Sequence, residues 1–429
     1  MGCIVVVVSL QLVLDFSAFF STSDHPEILW WMLCLVLPLF GSLFAVGIGT
    51  RVCAIICWIC IVVVQDSNLF ILSGADRLLR LLLFWSIFLP LDSTWSLQTW
   101  LHKKPRPRLP LTDYWAAWAI TLQICFVYWY AALAKSDPLW TQSHNALFYA
   151  LSIDYLVNPG GHFLWHYPSL LRALTALTLV LEFAGPFLLF VPFHRDRFRL
   201  LAVIIFTAFH LIGIQFLFRL GFFPWVAAAS WLIFIPPFFW DTVTGSLCVN
   251  QATIPSPKWA RLLDRSATSL VFLCLADVLI GSGPSLWASD FGENLRARDP
   301  LQPILHLDQR WRMFSPLPDD NHGWLVIPAS LADGSQVDLF TGQPVLWSKP
   351  PDIGDYFGDY RWNSRIGHII VHQDPADVRQ FGDYLVNKWN AEHPLNKVQS
   401  ISIVYMQQWT LPNLTITDPA PLVLYTHKY

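Results

Sequence analysis

The chain has 429 residues, 54% of them hydrophobic and only 13% charged, about half the charged share of an ordinary soluble domain. Mean hydropathy is +0.45 and 15% of residues are aromatic, with 22 Trp and 31 Phe. This excludes a disordered or wholly soluble chain and points to a multi-span helical membrane protein, while a net charge of −3 gives no basis for binding nucleic acid.

Apolar runs long enough to span a bilayer occur near 3–20, 28–48, 52–70, 76–91, 114–134, 169–192, 200–218, 221–240 and 268–287, which predicts about nine spans. Each should be helical, because lipid offers backbone polar groups no partners. The first run lacks a basic flank and reads as a span, not as a cleaved signal peptide. Charge is uneven along the chain: residues 1–287 carry 16 Lys+Arg and 14 Asp+Glu, and residues 288–429 carry 11 and 16. The expected fold is therefore mainly α, a polytopic helical membrane bundle over 1–287 followed by a small β-rich α+β domain over 288–429.

With nine spans, the connectors after spans 2, 4, 6 and 8 hold eleven Lys and Arg, and the opposite side and span ends hold five. The positive-inside rule puts the eleven in the cytoplasm. The tail domain is then extracytoplasmic, either periplasmic or lumenal. Residues 136–168, with "LVNPGGHFLWHYP", form an aromatic, Pro/Gly-rich loop expected to lie in the interface or to cover a cavity. In the tail, "GWLVIPASLADGSQVDLF" reads as a hairpin around Asp333-Gly334, and "SISIVYMQQWTL" alternates like a strand. Between them, Val378, Phe381, Leu385 and Trp389 have helical spacing.

Eight cysteines occur, none in the tail, so no disulfide framework is expected there. Cys53, Cys57 and Cys60 share a helical face and read as small packing residues. No metal site is expected. "HFLWH" (His162, His166) lacks a carboxylate pattern, and "HIIVH" (His368, His372) reads as a strand face. There is no phosphate loop or nucleophile elbow, and Asn413-Leu414-Thr415 is a glycosylation sequon.

Ionisable groups inside spans are costly and mark functional candidates. Asp76 and Arg80 are i, i+4 and read as a structural pair; Asp15, Arg219 and Asp277 lie near span ends. Lys135, Glu182, His210 and Gln215 fit that explanation less well. Glu182 lies mid-span beside a small-residue step, Ala184-Gly185-Pro186. His210 and Gln215 are five apart, on neighbouring helical faces. Together these groups either line one cavity or form an interhelical hydrogen-bond set that only packs helices. Lys135 at a span end either snorkels to the interface or reacts. A desolvated lysine favours its neutral form, a competent base or nucleophile, and Asp137 close by opposes this unless it points away.

The stretch 114–240 resembles the membrane region of vitamin K-dependent gamma-glutamyl carboxylase and its bacterial relatives, the horizontally transferred transmembrane (HTTM) proteins. The matching features are "FVYWYAALAKSDPLW" with Gly/Ala-x-x-Lys, an Asp two later and a Trp three after that; "LVLEFAGPFLLF" with a mid-membrane acid; and "FHLIGIQFLFRLGFFPW". "DSNLFILSGADRLLRLLLFW", "QRWRMFSP" with its Trp-x-Met, and "DGSQVDLF" extend the resemblance over roughly 50–420.

The resemblance implies an enzyme that uses a reduced vitamin K-type quinone with O2 and CO2 as co-substrates and no metal. A lysine, here Lys135, serves as base, and Asp137, Glu182, His210 and Gln215 support the pocket. The implied partners are membrane lipid, the quinone and a Glu-containing peptide or protein. The family places a functional histidine two residues before a Trp-Ser pair, where "PLDSTWSL" has Ser93. The tail is also shorter than the carboxylase's lumenal part. These two departures support the alternative, a lipid- or quinone-binding membrane module that presents its tail to an envelope partner.

Overall fold

The computed structural model describes residues 2–14, 27–67, 73–91, 96–102, 115–244, 269, 271–276, 278, 305–307, 309, 311–358 and 360–429. Ser93, Asp15, Asp277 and most of the expected ninth run lie outside the described residues. The membrane part comprises α1 (Gly2–Leu14), α2 (Glu27–Ala45), α3 (Thr50–Ser67), α4 (Gly74–Ser86), α5 (Trp115–Ala134), α6 (Pro168–Ala184), α7 (Arg195–Ala208), α8 (Phe223–Trp231) and α9 (Pro237–Thr244). Helices α1 to α4 pack in sequence; α4 then touches both α5 and α8, α5 packs on α6, and α7 on α8. The core they enclose includes Leu78, Leu79, Trp85, Phe206 and Trp231, all buried.

Among the described residues, three helical stretches are long and apolar enough to cross a membrane: Trp115–Ala134, Pro168–Phe190 and Arg195–Leu217. This replaces the expected nine. Phe223–Phe234 is a shorter apolar helix, and Leu35–Ala45 is the apolar part of α2 whose side chains are described. Prolines account for part of the shortening. The run 221–240 is cut where a tight turn over Leu232–Phe234 meets Pro236-Pro237, because proline has no N–H to continue a helix. The run 76–91 ends its α-helix at Ser86. A count of basic loops over nine spans therefore no longer assigns the tail to a side.

The tail is an antiparallel sheet of β1 (Asn321–Val326), β2 (Pro328–Leu331), β3 (Gln336–Asp338), β4 (Val398–Trp409) and β5 (Ala420–Lys428). The long β4 pairs with β1 and β2 along one edge and with β5 along the other. The Asp333-Gly334 turn joins β2 to β3 as expected, with Gly334 at φ +85° and the Asp333 carboxylate accepting from the Ser335 N–H. Gly323 is required on β1, because a Cβ there would meet the Met406 carbonyl oxygen at 1.9 Å.

Two helices back the sheet instead of the one expected: α10 (Tyr360–His372) and α11 (Pro375–Glu392). "HIIVH" lies on α10, not on a strand. Ile366, Ile369 and Ile370 form its buried stripe at helical spacing, and the His368 and His372 ring centroids lie 4.3 Å apart with the rings tilted by 44°.

The tail is docked on the membrane part through ion pairs, of which Asp76–Arg361 is buried. Asp76 caps α4 through Ser73, and its carboxylate accepts from Arg361 on α10 at 2.6 and 3.0 Å, with both residues under 8% exposed. Its ion partner comes from the tail, and Arg80 instead reaches the Gln65 side-chain oxygen at 2.7 Å. Arg219 bridges Asp352 and Asp355, each at 2.5 Å. From the loop after α5, Tyr155 packs into the tail core and Asp154 pairs with Lys349 at 2.7 Å. His322 also faces Asp154, at 3.9 Å. Burial pushes its imidazole down to about 4, outweighing the nearby Asp154, so Lys349 is the ion partner.

Removing one member of a buried ion pair strands the other and costs about 3–5 kcal/mol. Arg361→Leu should lower the melting temperature and expose the tail to protease, and adding Asp76→Asn should recover most of the loss. A melt unchanged by Arg361→Leu would show that the pair does not hold the tail.

Candidate functional site

The sequence sets Lys135 just past the last turn of α5, where its backbone N–H still bonds the Ala132 carbonyl. Its side chain folds back into the protein and is 4% exposed, so it does not snorkel. The ammonium donates to Glu182 Oε2 at 2.7 Å, Glu182 Oε1 at 3.0 Å and the Ala131 carbonyl at 3.2 Å. Three donors meet three acceptors, so Lys135 is a fully paired cation. The Trp140 ring lies 5.2 Å from its Nζ and adds a cation–π contact. Glu182, on α6, is 8% exposed and supplies the counter-charge from the neighbouring helix.

Asp137 has a structural role beside Lys135. Its carboxylate caps the short helix Pro138–Thr141, accepting from the Leu139 N–H at 2.8 Å. That helix presents Trp140, whose indole N–H donates to the Phe314 carbonyl at 2.9 Å. The segment "WRMF" (311–314) thus returns from the tail to the bundle. Trp311 is buried beside Phe223, and its indole donates to Gln309 Oε1 at 2.7 Å. Gln309 in turn accepts from Gln123 on α5 at 2.5 Å.

A second polar cluster lies two turns down α5, about 10 Å along the axis from Lys135. The Tyr128 hydroxyl is 2.7 Å from His210 Nε2 and accepts from the Trp231 indole at 2.6 Å. Glu182 is close enough to act electrostatically on Tyr128. His210 is 1% exposed. It sits in a wide π turn, Phe209–Ile214, that interrupts the helix between α7 and the turn Gln215–Leu217. The Gln215 backbone is fixed from the loop side, its carbonyl and that of Phe218 accepting from Asn158 at 2.7 and 2.9 Å.

The structure therefore joins Lys135 directly to Glu182, and His210 to Tyr128. Both clusters hang on one face of α5, since positions seven apart are two turns apart. Tyr128 and Trp231 were not singled out from sequence. Tyr128 had a readable signal, its place seven residues before Lys135; Trp231 had none. Cys53, Cys57 and Cys60 are buried thiols. Among the described residues, no three His, Cys, Asp or Glu side chains group closely enough to hold a metal.

A bundle with apolar spans, a buried lysine–glutamate pair and a histidine on a π turn defines a helical membrane protein with a polar site between its helices. The HTTM domain model matches residues 12–240, more than half of the chain, and the chain belongs to that family. The HTTM domain is found in vitamin K-dependent gamma-carboxylase-like proteins. The match includes Lys135, Glu182, His210 and Gln215 and stops before the tail. No curated protein and no solved structure matches the chain.

Because Lys135 and Glu182 are each buried, Lys135→Met should destabilise the protein. The double variant Lys135→Met, Glu182→Leu should melt within about 1–2 kcal/mol of wild type, since replacing a whole buried pair is near neutral. If Lys135→Met alone melts like wild type, Glu182 is not held by its partner.

Proposed function

We propose that the protein is a quinol-dependent membrane enzyme of the carboxylase-like type, in which the Lys135–Glu182 pair acts as one base. The observation that carries this is the pair itself, the Lys135 nitrogen 2.7 Å from Glu182 Oε2 and both side chains buried in an apolar bundle. In that state the Lys135 nitrogen has no lone pair to offer, so the vacant proton site of the pair is on Glu182. When an acidic hydroxyl enters, the proton passes to Glu182. Lys135 keeps its own three protons and turns toward the new oxyanion. The site ends with a neutral carboxylic acid and one ammonium–oxyanion pair, so no net charge is created in low dielectric.

The residues fit the ring oxygen of a reduced quinone. Lys135 and Glu182 would hold and deprotonate it, with Trp140 beside them. A bound quinol would supply, together with O2, the strong base needed to abstract a γ-proton of a Glu-containing peptide before CO2 adds. Lipid is the solvent of the bundle, and the tail is proposed to be extracytoplasmic, periplasmic or lumenal, as in the carboxylase.

The test is epoxide formation by purified protein in lipid given a reduced naphthoquinone, O2, bicarbonate and a Glu-rich peptide. The wild type should form epoxide, and the folded Lys135→Met, Glu182→Leu protein should form none. If the folded wild type binds the quinone and makes no epoxide, the protein is a lipid- or quinone-binding module. For the tail, protease added to sealed right-side-out vesicles should cleave it; full protection would place it in the cytoplasm.

A further inference from the structure

Backbone bonds and ion pairs fix the height of one tail segment over the bundle. The apolar stretch Arg195–Leu217 ends at Leu217. The Leu217 carbonyl accepts from the Asn158 N–H at 2.9 Å, and the Leu156 carbonyl accepts from the Arg219 N–H at 2.7 Å. Residues 154–158 therefore run past the end of that helix, at the level where hydrocarbon gives way to headgroups. The tail grips this level twice: Lys349 pairs with Asp154, and Arg219 bridges Asp352 and Asp355. Residues 349–355 are thus pinned at both ends to the rim of the bundle.

Just before this segment stands "VLWSK" (345–349). Val345 packs on the tail core and Lys349 is held by Asp154, yet Leu346 and Trp347 between them are 46% and 49% exposed. Trp347 makes no hydrogen bond or ring contact among the described residues. Pro344, Pro350 and Pro351 flank the stretch and stiffen its exposed tip. An extended chain covers at most about 3.6 Å per residue, so the Trp347 backbone lies within roughly 7 Å of Lys349. The headgroup zone on each side of a bilayer is roughly 5–8 Å deep. The bundle carries a second aromatic pair at this height. The short helix Pro159–Trp165 packs so closely on the span end that a Cβ on Gly161 would sit 2.5 Å from the Leu217 carbonyl oxygen. Phe163 on this helix and Tyr167 after it are exposed, with ring centroids 5.4 Å apart.

We propose that Leu346 and Trp347 form a lipid-binding edge through which the tail rests on the bilayer, with phospholipid in the headgroup zone as the partner. Single exposed apolar side chains are ordinary on a protein surface. These two differ because the ion pairs beside them hold them at a span end, level with Phe163 and Tyr167. Aromatic rings gathered at that height are the composition of a membrane interface. An indole suits it, burying its apolar face toward the acyl chains while its N–H stays in the hydrated headgroups. The contact adds to the ion pairs that dock the tail. It requires no assignment of the tail to either side of the membrane, and it is independent of the chemistry proposed for Lys135 and Glu182.

The test is photocrosslinking of the full-length protein in nanodiscs of phosphatidylcholine and phosphatidylglycerol. The photoreactive variants Trp347→p-benzoylphenylalanine and, as the reference on the bundle, Phe163→p-benzoylphenylalanine are irradiated and their peptides weighed by mass spectrometry. Both positions are exposed, so both variants should melt like the wild type. The peptide containing position 347 should gain the mass of a phospholipid, as should the peptide containing position 163. A peptide at 347 that gains no lipid while the one at 163 does places Trp347 in water and overturns the proposal. A peptide at 347 joined to another protein chain makes this edge a protein-binding surface and overturns it equally.

Discussion

One buried ion pair organises the membrane part. Lys135 follows the last turn of α5 and Glu182 lies near the end of α6, and each would be unaffordable in lipid alone. Their union fixes the two helices against each other, and the Trp129 indole bond to the Phe183 carbonyl beside it sets the register. The pair also explains why the lysine does not snorkel. Its three donors find three acceptors inside the protein, so reaching for the interface would gain nothing. The proposed chemistry rests on the same arrangement, because a neutral pair can take a proton and an oxyanion together without changing the charge of the site.

The tail is part of this site's architecture as well as an appendage to it. Trp311, Met313 and Phe314 pack against the bundle core, and the Phe314 carbonyl holds the Trp140 indole that faces Lys135. Arg361 reaches into the bundle to Asp76, and Arg219 reaches out to Asp352 and Asp355. Movement of the tail would therefore be felt at the aromatic wall beside Lys135. This gives a physical role to the Trp-x-Met stretch that the sequence displays as a bare motif.

Much of the tail was legible because its signals are local. Asp333-Gly334 dictates its own turn, and Val378, Phe381 and Leu385 repeat at helical spacing. The segment "HIIVH" was misread because an i, i+4 spacing of histidines suits a strand or a helix equally; only the Ile366, Ile369, Ile370 stripe against the sheet decides. The spans were overcounted because hydropathy ignores where proline and buried charge stop a helix, as at Pro236-Pro237. In the site, Lys135, Glu182 and His210 stood out as ions in apolar runs, and the capping role of Asp137 was not read from its place two residues after Lys135. The π turn could not be read from "FTAFHLIGIQFLF", since it depends on packing against α8 and on Asn158. Nor could the partner of Asp76, which lies 285 residues away.

The most direct measurement is the protonation state of Glu182 on ligand binding, read by infrared difference spectroscopy of the protein in lipid with menadiol under anaerobic conditions. Transfer of the hydroxyl proton to the pair predicts a new protonated-carboxyl band that is absent from the Glu182→Gln variant. A bound menadiol that keeps its proton, with Glu182 still a carboxylate, would contradict the role of Lys135 and Glu182 as a shared base and leave them as a purely structural pair.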